Sequence, residues 1–352
     1  MKIAFLHFTM GLVNRGSEIS TDIIATALGK QHQVTVFQSG PLISKVYKTI
    51  CIHPLVQAPT PAPTNIITKL LSRLYLDNAS ITAKKFTQQC IPELQKLKPD
   101  IIIATNGLPQ LKVLKKANLN AKIVVFGRAG IGYHDKDSLK ARPDLFVALT
   151  PQAKLWANTI AKPTTKVVYI PNPVMKVEAK AIDLNLPRPI VLTVGALSRY
   201  KNIPAVIKAV SKLQASLVLI GDGEESAHVQ SALSHFPGDF RWLKHVDPTE
   251  ISSYYASSDI FCFVPDPQEA FGRVYLEAMA VGLPIVASND PIRRGIVGAK
   301  GHYADPHNLD SVVSALQTAS TTGRVDYTKD LMPYQPKTVV AQIEKEINAL
   351  IN

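Results

Sequence analysis

A chain of 352 residues with 46% hydrophobic content is long enough for two domains with their own cores. Its net charge of +12 is uneven: residues 1–172 hold 22 Lys and Arg against 8 Asp and Glu, a balance of +14, and the remainder sits at −2. Cys51, Cys90 and Cys262 are scattered without metal-ligand spacing, which excludes a disulfide framework and points to a reducing, cytoplasmic setting, and no apolar run is long enough to span a membrane.

Strand and helix signals alternate along the chain. Segments 3–8 and 33–37 read as strands around a helix at 18–30, and the opening strand has neither the length nor the flanks of a signal peptide. Residues 41–65 read as irregular, with Pro41, Pro54, Pro59, Pro61 and Pro63. A basic helical region at 65–97 breaks near Asp77-Asn78. Strand 100–104, helix 107–117, strand 122–126, a long loop, strand 145–149, helix 151–160 and strand 167–170 follow.

Pro171-Asn172-Pro173 closes a first domain, 1–172, and 173–189 reads as a polar linker. A second alternation then runs from 190 to 334. Its strands fall at 190–194, 217–220, 259–264 and 285–287. Its helices fall at 201–213, 224–234, 248–256, 273–281 and 307–319, and 335–352 is helical in period. This is an α/β pattern of doubly wound parallel sheets: two Rossmann-like domains on one linker, with ligands expected between the carboxyl ends of their strands.

The densest chemical signal is Glu269-Ala-Phe-Gly-Arg-Val-Tyr-Leu-Glu277, followed by Ala-Met-Ala-Val-Gly282-Leu-Pro284. Two carboxylates stand eight positions apart across the point where a strand gives way to a helix. Glu269 precedes the helix and Glu277 lies on it, one turn beyond Arg273. Gly282 caps its end and Pro284 blocks continuation. Helix N-termini present unpaired N–H groups, and Gly272 lets a ligand approach them, so the segment suits an anion or a ring of hydroxyls.

These residues resemble the paired-glutamate motif of retaining nucleotide-sugar glycosyltransferases of the GT-B fold, glycosyltransferase family 4. The resemblance is strong over 190–305 and loose over 1–172. It implies GT-B architecture, two Rossmann-like domains facing across a cleft, with the terminal helix crossing back to the first. It implies transfer of a sugar from a UDP- or GDP-linked donor to a hydroxyl of a glycan, lipid-linked or other acceptor, with retention. Glu269 would then face the donor sugar, Glu277 the ribose hydroxyls, and the backbone of Phe271, Gly272, Arg273 and Val274 the sugar and diphosphate.

Other loops fit the same register. Val194-Gly195-Ala196-Leu-Ser-Arg199-Tyr-Lys201 leaves a strand, and Lys201 matches the family's diphosphate lysine. Ala196 stands where the family has an arginine, and Arg199 is a candidate substitute. Gly221-Asp-Gly223 resembles the family's nucleotide-side turn, and Trp242–Val246 its base region. In the first domain Gly11-Leu-Val-Asn-Arg15-Gly16-Ser17-Glu18 lies between strand one and helix one and resembles the family's glycine-rich loop ending in a glutamate, which approaches the diphosphate and acceptor; Gly16 is the donor-side match, and Ser17 is a candidate N-cap. That loop is neither a dinucleotide fingerprint nor a P-loop. His134, in Gly127-Arg128-Ala-Gly130-Ile-Gly132-Tyr-His134-Asp135-Lys-Asp137, is a candidate for donor-sugar contact. Asp135-Lys-Asp137 is formally a D-x-D, but it sits outside the setting in which that pattern binds a metal.

Lys201, with Arg199, Arg273 and Arg128, supplies cations for a leaving diphosphate, so no metal and no other cofactor is expected. The basic half suggests peripheral contact with an acidic membrane at its inner face, or with an anionic glycan. It lacks interleaved aromatics, which disfavours nucleic acid. The rival readings are a GT-B enzyme such as a nucleotide-sugar epimerase, and a non-catalytic sugar-binding protein. Donor, acceptor, linkage and oligomeric state are open at this level.

Overall fold

The computed structural model describes residues 1–13, 15–42, 46–52, 66–175 and 179–352. These divide into two compact units, residues 1–173 with 334–352, and residues 174–333.

The first unit is built on seven parallel strands: β1 (Lys2–Leu6), β2 (Gln33–Gln38), β3 (Lys48–Cys51), β4 (Ile101–Ala104), β5 (Lys122–Gly127), β6 (Leu145–Ala148) and β7 (Lys166–Tyr169). Their order is β3-β2-β1-β4-β5-β6-β7. Strand side chains alternate between faces, so central β1 feeds two cores. Ile3 and Phe5 pack with Ile24 and Leu28 of the helix Gly16–Leu28. Ala4 and Leu6 pack with Phe86, Cys90 and Leu94 of the helix Asn78–Leu97 on the other side. A sheet covered on both faces has no polar side, which explains the near-continuous apolar runs in its strands. The last helix, Pro336–Ile351, completes the Ile3 and Phe5 side through Val339, Val340, Ile343 and Ile347. The ion pair Lys166–Glu346 at 2.6 Å and a contact of His32 Nε2 with Glu344 Oε1 at 3.1 Å fasten it there.

The second unit has six parallel strands: β8 (Ile190–Val194), β9 (Ser216–Ile220), β10 (Phe240–Leu243), β11 (Ile260–Phe263), β12 (Ile285–Ser288) and β13 (His302–Ala304). Their order is β10-β9-β8-β11-β12-β13. In each sheet the winding reverses once, between β1 and β4 and between β8 and β11. Loops leaving the carboxyl ends of strands at such a reversal splay apart, and that is where open α/β sheets take ligands.

The structure corrects several expectations. Strand β3 lies in the stretch read as irregular. It is a four-residue edge strand held by pairing with β2, too short for alternation to announce. Pro54, Pro59, Pro61 and Pro63 of that stretch lie outside the described residues, as do Asn14 and residues 176–178 of the linker. Residues 179–189 are no free tether: Ile182 N–H donates to Ser257 Oγ at 2.7 Å, Leu184 is buried, and Arg188 pairs with Asp259. The long loop after β5 contains the helix Tyr133–Lys140, which forms around buried Leu139 despite its glycine-rich approach. Helix Pro291–Val297, of seven residues, and strand β13, of three, went unread because each is a short signal between prolines and glycines.

Candidate active site

At the winding reversal of the second sheet, the loops after β8 and β11 are laced together. Asp266 N–H donates to Tyr200 O at 2.8 Å, and Asn202 Nδ2 donates to Val264 O at 3.2 Å and Pro306 O at 2.8 Å. The lacing brings Lys201 of one loop against Glu269 of the other. Lys201 Nζ donates to Glu269 Oε2, and both side chains are largely buried. Lys201 also lies over the rings of Tyr200 and Phe263, at 5.1 and 5.3 Å from their centroids. The helix expected at 201–213 begins at Ile203, so Lys201 sits in a preceding 3-10 turn, Arg199–Lys201, with Asn202 at φ +56° between. Arg199 and Ala196 are exposed on the same segment.

The helix Arg273–Ala280 starts as expected. Gly272 precedes it at φ +85°, and a Cβ there would come within 2.7 Å of the Tyr275 ring, so glycine is required. Phe271 is buried, and its N–H reaches Glu269 Oε1 at 3.4 Å. Arg273 Nη2 lies 3.6 Å from Glu277 Oε1, one turn on. Glu277 Oε2 accepts from the hydroxyl of buried Tyr255 at 2.9 Å. Burial, then the neighbouring Glu277 carboxylate, raises the Tyr255 pKa well above its ordinary value, so this hydroxyl stays protonated and donates. Gly282 at φ +74° closes the helix, its Cβ direction blocked by Val325 O.

The Gly221 to Gly223 turn is explained by packing. A Cβ on Gly221 would lie 2.0 Å from Gly195 O, and one on Gly223 would lie 2.5 Å from Leu197 O. The two loops pair through Leu197 N–H to Asp222 O at 3.0 Å, and Trp242 Nε1–H donates to Gly221 O at 2.9 Å.

Gly16 and His134 lie on the first unit. Gly16 opens its helix behind Arg15 as N-cap; Ser17 is not the cap, because its hydroxyl donates to Glu18 Oε2 at 2.7 Å. His134 stands in the first turn of its helix, edge-on to Tyr133 at 4.8 Å and Tyr75 at 6.3 Å. Desolvation there lowers its pKa, which keeps it neutral at neutral pH. Asp135 is buried, and burial raises its pKa to about 7, while Asp137 accepts from Tyr75 and Lys140, both at 3.0 Å. The D-x-D carboxylates thus serve the helix's own packing. Arg128 is occupied as well, by Ser20, by Thr21 at 3.1 Å and by Asn172 at 3.3 Å.

Of the groups that support these loops, only Glu18 is marked in the sequence, as the end of the glycine-rich loop; Tyr255, Arg293, His7 and Thr9 are not. Tyr255 and Arg293 are buried behind the two glutamates. His7, Thr9 and Glu18 form a buried relay at the end of β1: Thr9 Oγ1 donates to Glu18 Oε1 at 2.5 Å and lies 3.1 Å from His7 Nδ1. Burial lowers His7 to about 4, so it is neutral, and the network assigns its proton to Nδ1. Topology was the available signal for this group, since β1 borders the reversal of the first sheet.

Residues 175–328 match the family model of glycosyl transferases group 1, nearly the whole second unit. An uncharacterized glycosyltransferase of Haemophilus influenzae is 26% identical over 336 residues, 90% of this chain and 89% of that protein. A phosphatidyl-myo-inositol mannosyltransferase of Mycolicibacterium smegmatis is 31% identical over 135 residues, 35% of either chain. This chain thus spans about a third of that mannosyltransferase. In fold, the Anabaena HepE protein, solved with UDP and glucose, superposes with a TM-score of 0.72 over 99% of this chain and all of that one, at 17% identity.

Proposed function

We propose that this GT-B glycosyltransferase is a retaining hexosyltransferase of family 4 type, which takes its sugar from a UDP- or GDP-linked donor. The acceptor is a hydroxyl of a glycan or lipid-linked molecule. The observation that carries this reading is the site at the β8–β11 reversal, where Lys201 and Glu269 meet beside a helix that bears Glu277. Breaking the anomeric bond releases a diphosphate and builds positive charge on the sugar. A cation aimed at the diphosphate and a carboxylate near the sugar stabilise both ends of that separation. Lys201 is shared between Glu269 and the incoming diphosphate. Arg273 and the helix start at Gly272 add to the same field, with Arg199, Gly221 and Gly223 on the donor side. Glu277, with one oxygen turned by Tyr255, accepts the ribose hydroxyls. With cations and a helix terminus in these roles, the reaction proceeds without a divalent metal.

The test is product analysis with UDP-glucose, UDP-galactose and GDP-mannose over glycan and lipid-linked acceptors, with chelator present. An α-linked product from an α-linked donor is expected by NMR. A β-linked product overturns retention, and a requirement for added metal overturns metal independence. An epimerised donor without acceptor favours the epimerase reading.

We also propose that the first unit docks on an acidic lipid surface at the cytoplasmic face of a membrane. No helix among the described residues is long and apolar enough to cross one. Leu70, Leu74 and Leu76 are nevertheless more than half exposed, close in sequence to Arg73, Lys84 and Lys85 within the half that carries the +14 balance. Exposed leucines beside cations suit an interface that is apolar below and anionic above. Cosedimentation with vesicles containing phosphatidylglycerol is expected, weakening as salt rises. Failure to bind such vesicles at any ionic strength contradicts the docking, and salt-sensitive binding to an acidic glycan alone reassigns the partner.

A further inference from the structure

We infer that Arg293 is a positioning residue for the Glu269 loop, acting on turnover through Glu269; this rests on the donor-site reading above. Arg293 and Arg294 are neighbours with opposite fates. Arg294 lies at the surface over Tyr303, its Nε donating to Asn289 Oδ1 at 2.7 Å. Arg293 is 0% exposed. Its Nη1 donates to Glu269 O and its Nη2 to Asp266 O, each at 2.9 Å.

Those two carbonyls are the ends of one turn, because Glu269 N–H also donates to Asp266 O at 3.0 Å. The planar fork therefore grips both ends of the turn that delivers Glu269. Asp290 supports it from behind. Its Oδ1 accepts from the N–H groups of Ile292 at 2.9 Å and Arg293 at 3.1 Å, capping the helix Pro291–Val297. Its Oδ2 lies 3.2 Å from Arg293 Nε, the counter-charge for the buried guanidinium.

Burying a guanidinium is costly even when paired, and an apolar side chain would fill the same volume at least as stably. What an apolar chain cannot do is hold two carbonyls in a fixed plane. Lysine cannot do so either, since its ammonium is a single point on a flexible stem. The fork touches neither Glu277 nor Tyr255, so its effect is confined to the sugar side of the donor.

The test compares wild type, Arg293→Lys, Glu269→Gln and the double variant. UDP and GDP affinities are read by calorimetry. Turnover is read as nucleoside diphosphate release from UDP-glucose and GDP-mannose at saturating donor. Arg293→Lys is expected to lower turnover about 10–100-fold while nucleoside diphosphate affinity stays within about threefold. In the Glu269→Gln background the same change should cost less than about threefold more, because the two act through one group. Losses that multiply in the double variant, or equal losses in affinity and turnover, overturn the inference. Asp290→Asn provides a second test that keeps the cap and removes the counter-charge. It should show the same split at smaller amplitude, and unchanged turnover in it also overturns the inference. If wild type binds neither UDP nor GDP, it is the donor-site reading that fails, not the assignment of Arg293.

Discussion

Glu269→Gln is expected to keep nucleoside diphosphate affinity and to lose about 10²–10³ of turnover. The substitution preserves shape and one acceptor oxygen, so the lacing of the β8 and β11 loops survives. It removes the negative charge that, in the proposed reaction, faces the sugar as positive charge grows on its anomeric carbon. Ground-state binding of the nucleotide does not use that charge, so the loss falls on kcat rather than on KM. The variant also releases Lys201 from its ion pair, which leaves the lysine freer for the diphosphate; affinity for UDP or GDP is therefore unchanged or slightly tighter. Steady-state kinetics with paired calorimetry checks both halves. A variant with full turnover removes Glu269 from the chemistry.

Glu277→Ala produces the opposite split. Its carboxylate is assigned two charge-assisted hydrogen bonds to the ribose, and bonds of that kind are worth about 1.5–3 kcal/mol. Loss of the pair weakens donor binding about 10–100-fold, while turnover at saturating donor falls much less. The same change strips Tyr255 of its acceptor. That hydroxyl is buried, and an orphaned buried donor costs about 1–3 kcal/mol, so the melting temperature also drops. Glu277→Gln, which still accepts from Tyr255, recovers the melting temperature without recovering the affinity. Equal donor affinity in wild type and Glu277→Ala removes the ribose assignment.

The helix at 273–280 was legible because its punctuation is local. Gly272 and Gly282 can take the positive φ the chain needs at each end, and Pro284 cannot continue a helix, each by its own covalent structure. The doubly wound sheets were legible for a related reason: strands buried on both faces are apolar throughout, and helices between them keep their period. The 3-10 turn under Lys201 was not legible, because it depends on Asn202 reaching across to Val264 and Pro306. Arg293 was hidden more completely. Nothing in Arg293-Arg294 tells which arginine is buried; the choice is made by Asp266 and Glu269, more than twenty positions earlier. Tyr254-Tyr255 poses the same problem, resolved by Glu277. Residues that support a site from behind are selected by tertiary geometry, whereas those that shape its backbone leave a mark in the sequence.

The central claim is that the reversal between β8 and β11 holds the nucleotide part of a sugar donor. Calorimetric titration of the wild-type chain with UDP, GDP, ADP and free sugars, in chelator, tests it most directly. Saturable binding of UDP or GDP is expected, weakened about 10–100-fold in Glu277→Ala. Binding of a free sugar with no binding of any nucleoside diphosphate would contradict it and leave a sugar-binding protein in its place.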